Sequence, residues 1–291
     1  VGFGQDILIG TQNSMLSTAF PAAGNVMVGF NNTIPTGCGY YVSIFGAQNC
    51  VSGKYATVIG NTNVACNSGN NFDDASHIFG ACNTITVCCS NIFGHANCVT
   101  GLRSNIVGTS SFISSACSNV LGHCSCTTQG FSTVIGTCSC SSASDSTVIG
   151  SCSSATHSNA TVIGAGLTSQ KSNTVHVNNL ISYGQGASIA HSIGSTGGAV
   201  VLDWDNGNIQ TLTLTSNITS LTKSNPIDGG VYTLFVKQGV SGRTVAWGND
   251  VFWAGGTGPT LSGATGATDA VSLVYIAGVT GYYGNANLNF A

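Results

Sequence analysis

From Gly80 to Gly164 a glycine stands at every fourteenth position, as Gly80, Gly94, Gly108, Gly122, Gly136, Gly150 and Gly164, each directly behind two bulky apolar residues. Spacing this strict means one small unit stacked many times, and it excludes reading the same letters as loop. The neighbouring columns repeat too. Two places before the glycine stand Ile78, Ile92, Ile106, Val120, Val134, Val148 and Val162; one place before stand Phe79, Phe93, Val107, Leu121, Ile135, Ile149 and Ile163. Serine holds the place four before from Ser76 to Ser146, and Asn91, Asn105 and Asn119 give way to Thr133, Thr147 and Thr161 three before. In a stack of in-register strands each coil lies about 4.8 Å above the last, so like columns become ladders. Val and Ile suit such a pleated surface, and glycine makes the turn that a β-branched residue could not make cheaply.

The unit continues on both sides. Gly10, Gly29, Gly46 and Gly60 each follow two apolar residues, at spacings of 19, 17, 14 and 20 residues up to Gly80, the same unit with insertions on one face. Downstream, Thr174 to Val177 ends at Asn178, fourteen residues beyond Gly164, so eight regular coils rising about 35 Å are expected from Gly80 to Asn178. The chain opens mid-pattern at Val1, which predicts a piece of a longer fibre. Only 5% of residues are charged and the net charge is −3, so no basic stripe offers a nucleic-acid partner. No apolar run is long enough to predict membrane insertion. A thin coil of small apolar residues buries little by itself, and three chains around one axis solve that problem, which predicts a homotrimer.

Thirteen cysteines fall largely in register: Cys82, Cys124, Cys138 and Cys152 two places after the glycine, and Cys50, Cys98, Cys126 and Cys140 four places after. They could bind metal, form a disulfide ladder, or serve as small buried hydrophobes. No Cys-x-x-Cys pair and no converging histidines accompany them, so no metal site is expected. A stacking distance near 4.8 Å exceeds the usual Cβ separation of a bridge, which predicts a reduced thiol core. His95 and His123 lie two coils apart, too far for shared ligation within one chain.

After residue 180 the register stops. A Gly/Ser/Ala-rich passage, 181–198, reads as linker or collar, and 199–291 alternates by two in segments 199–204, 209–214, 231–236, 244–247 and 271–276 between turn signals. This pattern predicts an antiparallel β-sandwich. The expected fold is therefore all-β: a trimeric parallel β-solenoid stalk over 1–180, with irregular coils in 1–75 and regular coils in 76–180, a collar, and a sandwich tip.

The Ser-Thr-Val-Ile-Gly unit is similar to the head repeats of trimeric autotransporter adhesins, which form left-handed parallel β-rolls, and to repeats in phage fibres. One departure is that the cysteine columns replace the alanine common in adhesin heads. The tail, with Asp203-Trp204-Asp205-Asn206-Gly207-Asn208, Gly229-Gly230-Val231-Tyr232-Thr233-Leu234, Gly242-Arg243-Thr244-Val245 and 253–261, resembles a C-terminal domain of phage tail-fibre and related virion proteins. The resemblance implies an extracellular virion fibre that serves host attachment and joins other virion proteins. A trimeric adhesin of cellular origin is the related alternative.

No nucleophile elbow, phosphate loop or metal triad is present, and no catalytic residue or cofactor is expected. The close carboxylate pairs are Asp73-Asp74, in the polar insertion, and Asp203/Asp205 beside an Asn-Gly turn; the latter lacks the full calcium-loop spacing. An enzymatic tailspike would need paired carboxylates from different chains, and an ice-binding solenoid a longer Thr column. Binding is the better expectation. Trp247, Trp253, Tyr282 and Tyr283 are the candidate receptor-binding residues for a host glycan or protein, with loops 238–243 and 252–260 as the recognition tip.

Overall fold

A computed structural model of the chain describes residues 6–16, 24–35, 40–66, 75–178, 180 and 187–290. The chain divides into two compact units, Val1–Ile181 and Ser182–Ala291. The Asp73-Asp74 pair and residues 181–186 of the expected collar lie outside the described residues.

In the first unit each apolar-apolar-glycine segment forms a five-residue strand, from Ile7–Thr11 to Thr161–Ala165, and Val175–Val177 ends the series. Among the described residues, twelve such strands stack into one sheet and ten two-residue strands, from Ser14–Met15 to Ser154–Ala155, into a second. All pairings are parallel and like sits on like: Ile92 lies between Ile78 and Ile106, Gly94 between Gly80 and Gly108. The first unit is thus a β-solenoid. Side chains alternate across each long strand, so in Thr133–Thr137 Val134 is buried and Ile135 exposed. The core joins that inward column, Ile78, Ile92, Ile106, Val120, Val134, Val148 and Val162, to Ile85, Val99 and Ile113 of the second sheet.

Two corners per coil carry left-handed backbone at non-glycine residues. One falls two places after the glycine, as at Thr62, Ala96, Cys124 and Cys138; the other five places before, as at Tyr55, Arg103, Phe131 and Asp145. Such a conformation costs an ordinary residue about 1–2 kcal/mol, and a buried polar ladder offsets it. Asn13, Asn32, Asn49, Asn63, Asn83 and Asn97, each three places after the glycine, run up the stack. Asn63 Nδ2 donates to Asn49 Oδ1 at 3.0 Å and to the Gly80 carbonyl at 2.7 Å, while Asn63 Oδ1 accepts from the Asn83 backbone N–H and Nδ2, each at 3.1 Å. Serine takes over from Ser111 to Ser153: Ser125 Oγ donates to the Gly136 carbonyl at 2.9 Å and accepts from the Ser139 N–H at 3.3 Å. The Ser column four before the glycine does the same at the other corner, where Ser104 Oγ donates to the Ser115 carbonyl at 2.9 Å and accepts from the Ser118 N–H. Turn groups that would otherwise be buried unpaired are thereby satisfied coil by coil.

The second unit corrects the sandwich expectation. It is one six-stranded mixed sheet in the order His191–Asp203, Ile209–Ser224, Val231–Gln238, Thr268–Ile276, Gly281–Phe290, Val251–Trp253. The first three strands are parallel neighbours, the next two pair antiparallel, and Val251–Trp253 runs parallel to the last. Parallel neighbours usually need a long crossover. Here the first strand shifts register at Gly194 and Gly198, both with positive φ, and that bending lets the short 204–208 connection bring the chain back. Glycines that read as collar are therefore inside a strand: 191–198 belongs to the sheet. Residues 244–247 are not a strand and make only an isolated bridge between Ile218 and Val245. Leu202, Leu212, Leu234, Val271 and Leu273 form the core on one sheet face.

Candidate binding surface

The sheet sorts the aromatic candidates. Trp247 is 7% exposed and Tyr282 2%, so both belong to the core and not to a surface. Trp247 packs edge-on against half-buried Trp253 at 5.3 Å and donates Nε1–H to the Pro259 carbonyl. Tyr282 accepts a hydrogen bond from Trp204 Nε1 at 3.0 Å. Lys223 lies beside it with a fully buried side chain, donating to the Trp247 carbonyl at 2.8 Å and pairing with Asp250 at 2.9 Å. Burial pushes the Tyr282 phenol up to about 12, against the opposing effect of the Trp204 bond, with nearby Tyr232, Asp250 and Tyr275 adding to the rise.

That shift sets a pH window. The folded unit favours the neutral phenol, whose ordinary pKa is about 10, so its stabilising effect is complete below about pH 10 and is lost as pH rises through about 12. The tryptophan-fluorescence unfolding midpoint is expected to fall across that window. Tyr282→Phe should flatten the slope, and an unchanged slope would count against this assignment.

Tyr283, one residue on, points to the other face and is 51% exposed. Register places it in a row across four strands: Val231 opposite Val274, Val274 opposite Tyr283, Tyr283 opposite Phe252. Phe252 is 47% exposed and its ring lies 5.7 Å from that of Tyr283. The result is an apolar strip ending in two adjacent rings and one phenol, able to stack on a flat apolar face and to exchange a hydrogen bond. Of the four sequence candidates the structure keeps Tyr283 on the surface, and it adds Phe252. Strand alternation was the signal that separates Tyr282 from Tyr283.

The expected recognition loop 238–243 is a closed turn whose tip is exposed at 240–242. Gln238 is buried, donating Nε2–H to the Arg243 carbonyl at 2.9 Å and accepting from the Arg243 N–H at 3.1 Å. Asp203 caps the 3-10 turn Trp204–Asn206 through the Asp205 N–H and also accepts from Asn225 Nδ2 at 2.8 Å, which uses its carboxylate in turn closure. Among the described residues, no three His, Cys, Asp or Glu side chains gather as a metal site.

The cysteines depart most from expectation. Cys82, Cys124, Cys138 and Cys152 are exposed at the left-handed corner, and Cys98, half-buried, opens a two-residue strand of the second sheet. Cys126 and Cys140 form a disulfide with Cα atoms 4.6 Å apart. The thiol core is thus corrected on two counts. The left-handed residue breaks the alternation that would have turned these side chains inward, and adjacent coils lie within the Cα range that a bridge spans. Comparison with known proteins finds no family model matching the chain and no curated protein similar to it.

Proposed function

We propose that the protein is a structural virion fibre: a homotrimer whose solenoid supplies reach and whose C-terminal unit meets a host cell surface. The observation that carries this reading is the outward column one place before the glycine. Ile59, Phe93, Val107, Leu121, Ile135, Ile149 and Ile163 are all exposed in the single chain, directly behind the buried core column. Phe79 and Phe93 stack in it with centroids 4.8 Å apart. A continuous apolar stripe of this length is a surface to be covered, and three copies around an axis parallel to the stack cover it along its whole length. The Cys126–Cys140 disulfide supports work in an oxidising, extracellular setting. The Phe252–Tyr283 strip supports contact with a host glycan or protein, repeated three times so that weak contacts act together. The resemblance of repeat and tail to phage fibres supports the virion assignment, with adhesion and mechanical reach as the task in place of catalysis.

Sedimentation equilibrium of the whole chain should give three times the 29.3 kDa of one chain. Leu121→Asp with Ile135→Asp, placing carboxylates in the stripe, should give single chains. Phe252→Ala with Tyr283→Ala should leave the trimer mass intact and abolish adsorption to host cells. A wild-type chain that sediments as a monomer at micromolar concentration sinks the proposal.

A further inference from the structure

The exposed corner column carries cysteine on three successive coils, Cys124, Cys138 and Cys152. Their backbones are alike, with φ of 51°, 53° and 54°, and the strands that lead into them pair in register, Gly122 with Gly136 and Gly136 with Gly150. On the first two of these coils, two residues further on, Cys126 and Cys140 already bridge with Cα atoms 4.6 Å apart. The coil spacing therefore suits a bridge between adjacent members of the exposed column, whereas Cys124 and Cys152 lie two coils apart, about 10 Å, beyond bridging distance. Three thiols in a row can hold one bridge, and it must include the middle one.

We propose that Cys124, Cys138 and Cys152 form a surface thiol-exchange site that takes oxidising equivalents from low-molecular-weight disulfides and holds one mobile bridge centred on Cys138. The ends of the row differ from its middle. Cys124 Sγ lies 3.1 Å from His123 Nε2, a base placed to take the thiol proton, and Cys152 Sγ accepts a hydrogen bond from Ser151 Oγ. Desolvation and the flanking Cys124 and Cys152 raise the pKa of the Cys138 thiol, and the contact with His123 Nε2 makes Cys124 the sulfur placed to attack first. The Cys124 thiolate attacks one sulfur of the small disulfide RSSR, forming Cys124–S–SR and releasing RS⁻. Cys138, giving its proton to solvent, then attacks Cys124 Sγ and expels the second RS⁻. Two thiols are oxidised and one RSSR is reduced to two RSH. The Cys152 thiolate can next attack Cys138 Sγ and release Cys124 as thiolate, which moves the bridge one coil along with no net redox change. Whichever bridge is present, one end thiol stays exposed and reactive.

The test uses the full chain treated with oxidised glutathione at pH 8, alkylated with N-ethylmaleimide, digested without reduction and read by mass spectrometry. Expected is one alkylated thiol among the three, divided between Cys124 and Cys152, with Cys138 protected. Cys152→Ser should remove the remaining label and leave only the Cys124–Cys138 bridge. Cys138→Ser should leave both ends as thiols or glutathione adducts, with an unchanged circular-dichroism spectrum. Labelling of Cys138 as heavy as that of its neighbours, or recovery of a Cys124–Cys152 bridge, overturns the proposal.

Discussion

Gly136→Ala is expected to open the solenoid. Gly136 has φ +150°, and a Cβ there would fall on the carbonyl oxygen of Gly150 in the next coil, inside any van der Waals distance. The obstacle is backbone, which cannot swing aside as a side chain could. That carbonyl is also the acceptor for Ser139 Oγ at 3.1 Å, so displacing it breaks the serine ladder as well. Mutations that combine a forced backbone shift with lost buried hydrogen bonds reach about 4 kcal/mol or more. Gly166→Ala is the control. It has φ +67° and nothing within 4 Å of the added carbon, so only the left-handed cost of about 1–2 kcal/mol applies. Because coils contact only their neighbours, the damage should be local. Limited proteolysis should cut near residues 122–150 in Gly136→Ala, and the thermal midpoint should fall far more than in Gly166→Ala. Equal midpoints for the two variants would falsify the steric account.

The second large effect is expected at Asn63. Replacing it with alanine removes the acceptor for the Asn83 N–H and Nδ2 and the donor to the Gly80 carbonyl, all in a fully buried ladder. Each buried group left unmet costs about 1–3 kcal/mol, so a loss of about 4 kcal/mol is expected. The protein itself supplies the rescue. Serine fills the same column from Ser111 onwards, donating to a glycine carbonyl and accepting the next N–H. Asn63→Ser should therefore cost about half as much, read as the shift in denaturation midpoint. Amide exchange at Asn83 should speed up strongly in the alanine variant and weakly in the serine variant. Similar losses for both variants would mean that the ladder's hydrogen bonds are not what stabilises the corner.

How far the sequence discloses the fold depends on how local the cause is. The glycine with its two apolar residues announces strand and inward column together, because both depend on residues within one coil, but the turn expected at the glycine falls two places later, as at Cys138, and the glycine itself lies inside the strand against the next coil's carbonyl. The Asn13-to-Ser153 ladder is not legible in the sequence although its spacing is equally regular: the letter changes at Ser111, and a polar column does not register as core. The cysteines were misplaced because counting by two holds only while the backbone is extended. Cys138 sits at a left-handed corner, so parity fails there. In the second unit, alternation identified the segments around Leu212, Leu234 and Leu273, but alternation is the same in parallel and antiparallel strands. Gly194 and Gly198 carried the information about direction and looked like linker. Of the binding candidates, Tyr283 stays on the surface, and Phe252, which the sequence places only within the recognition loop 252–260, joins it from Val251–Trp253, a strand too short to show a period.

The in-register stack also explains why a chain of 291 residues carries so few charges. A charge repeated on one column would face its own kind at about 4.8 Å, a repulsion of about 0.9 kcal/mol per step even in water, accumulating with every coil. Arg103 accordingly stands between Cys89 and Cys117 on its corner, and Asp145 between Phe131 and Asn159. Identity between neighbours builds amide and hydroxyl ladders and punishes ionic ones. Outside the apolar stripe the solenoid therefore meets water mainly through neutral polar groups, and its cohesion gives dissolved salt almost nothing to screen.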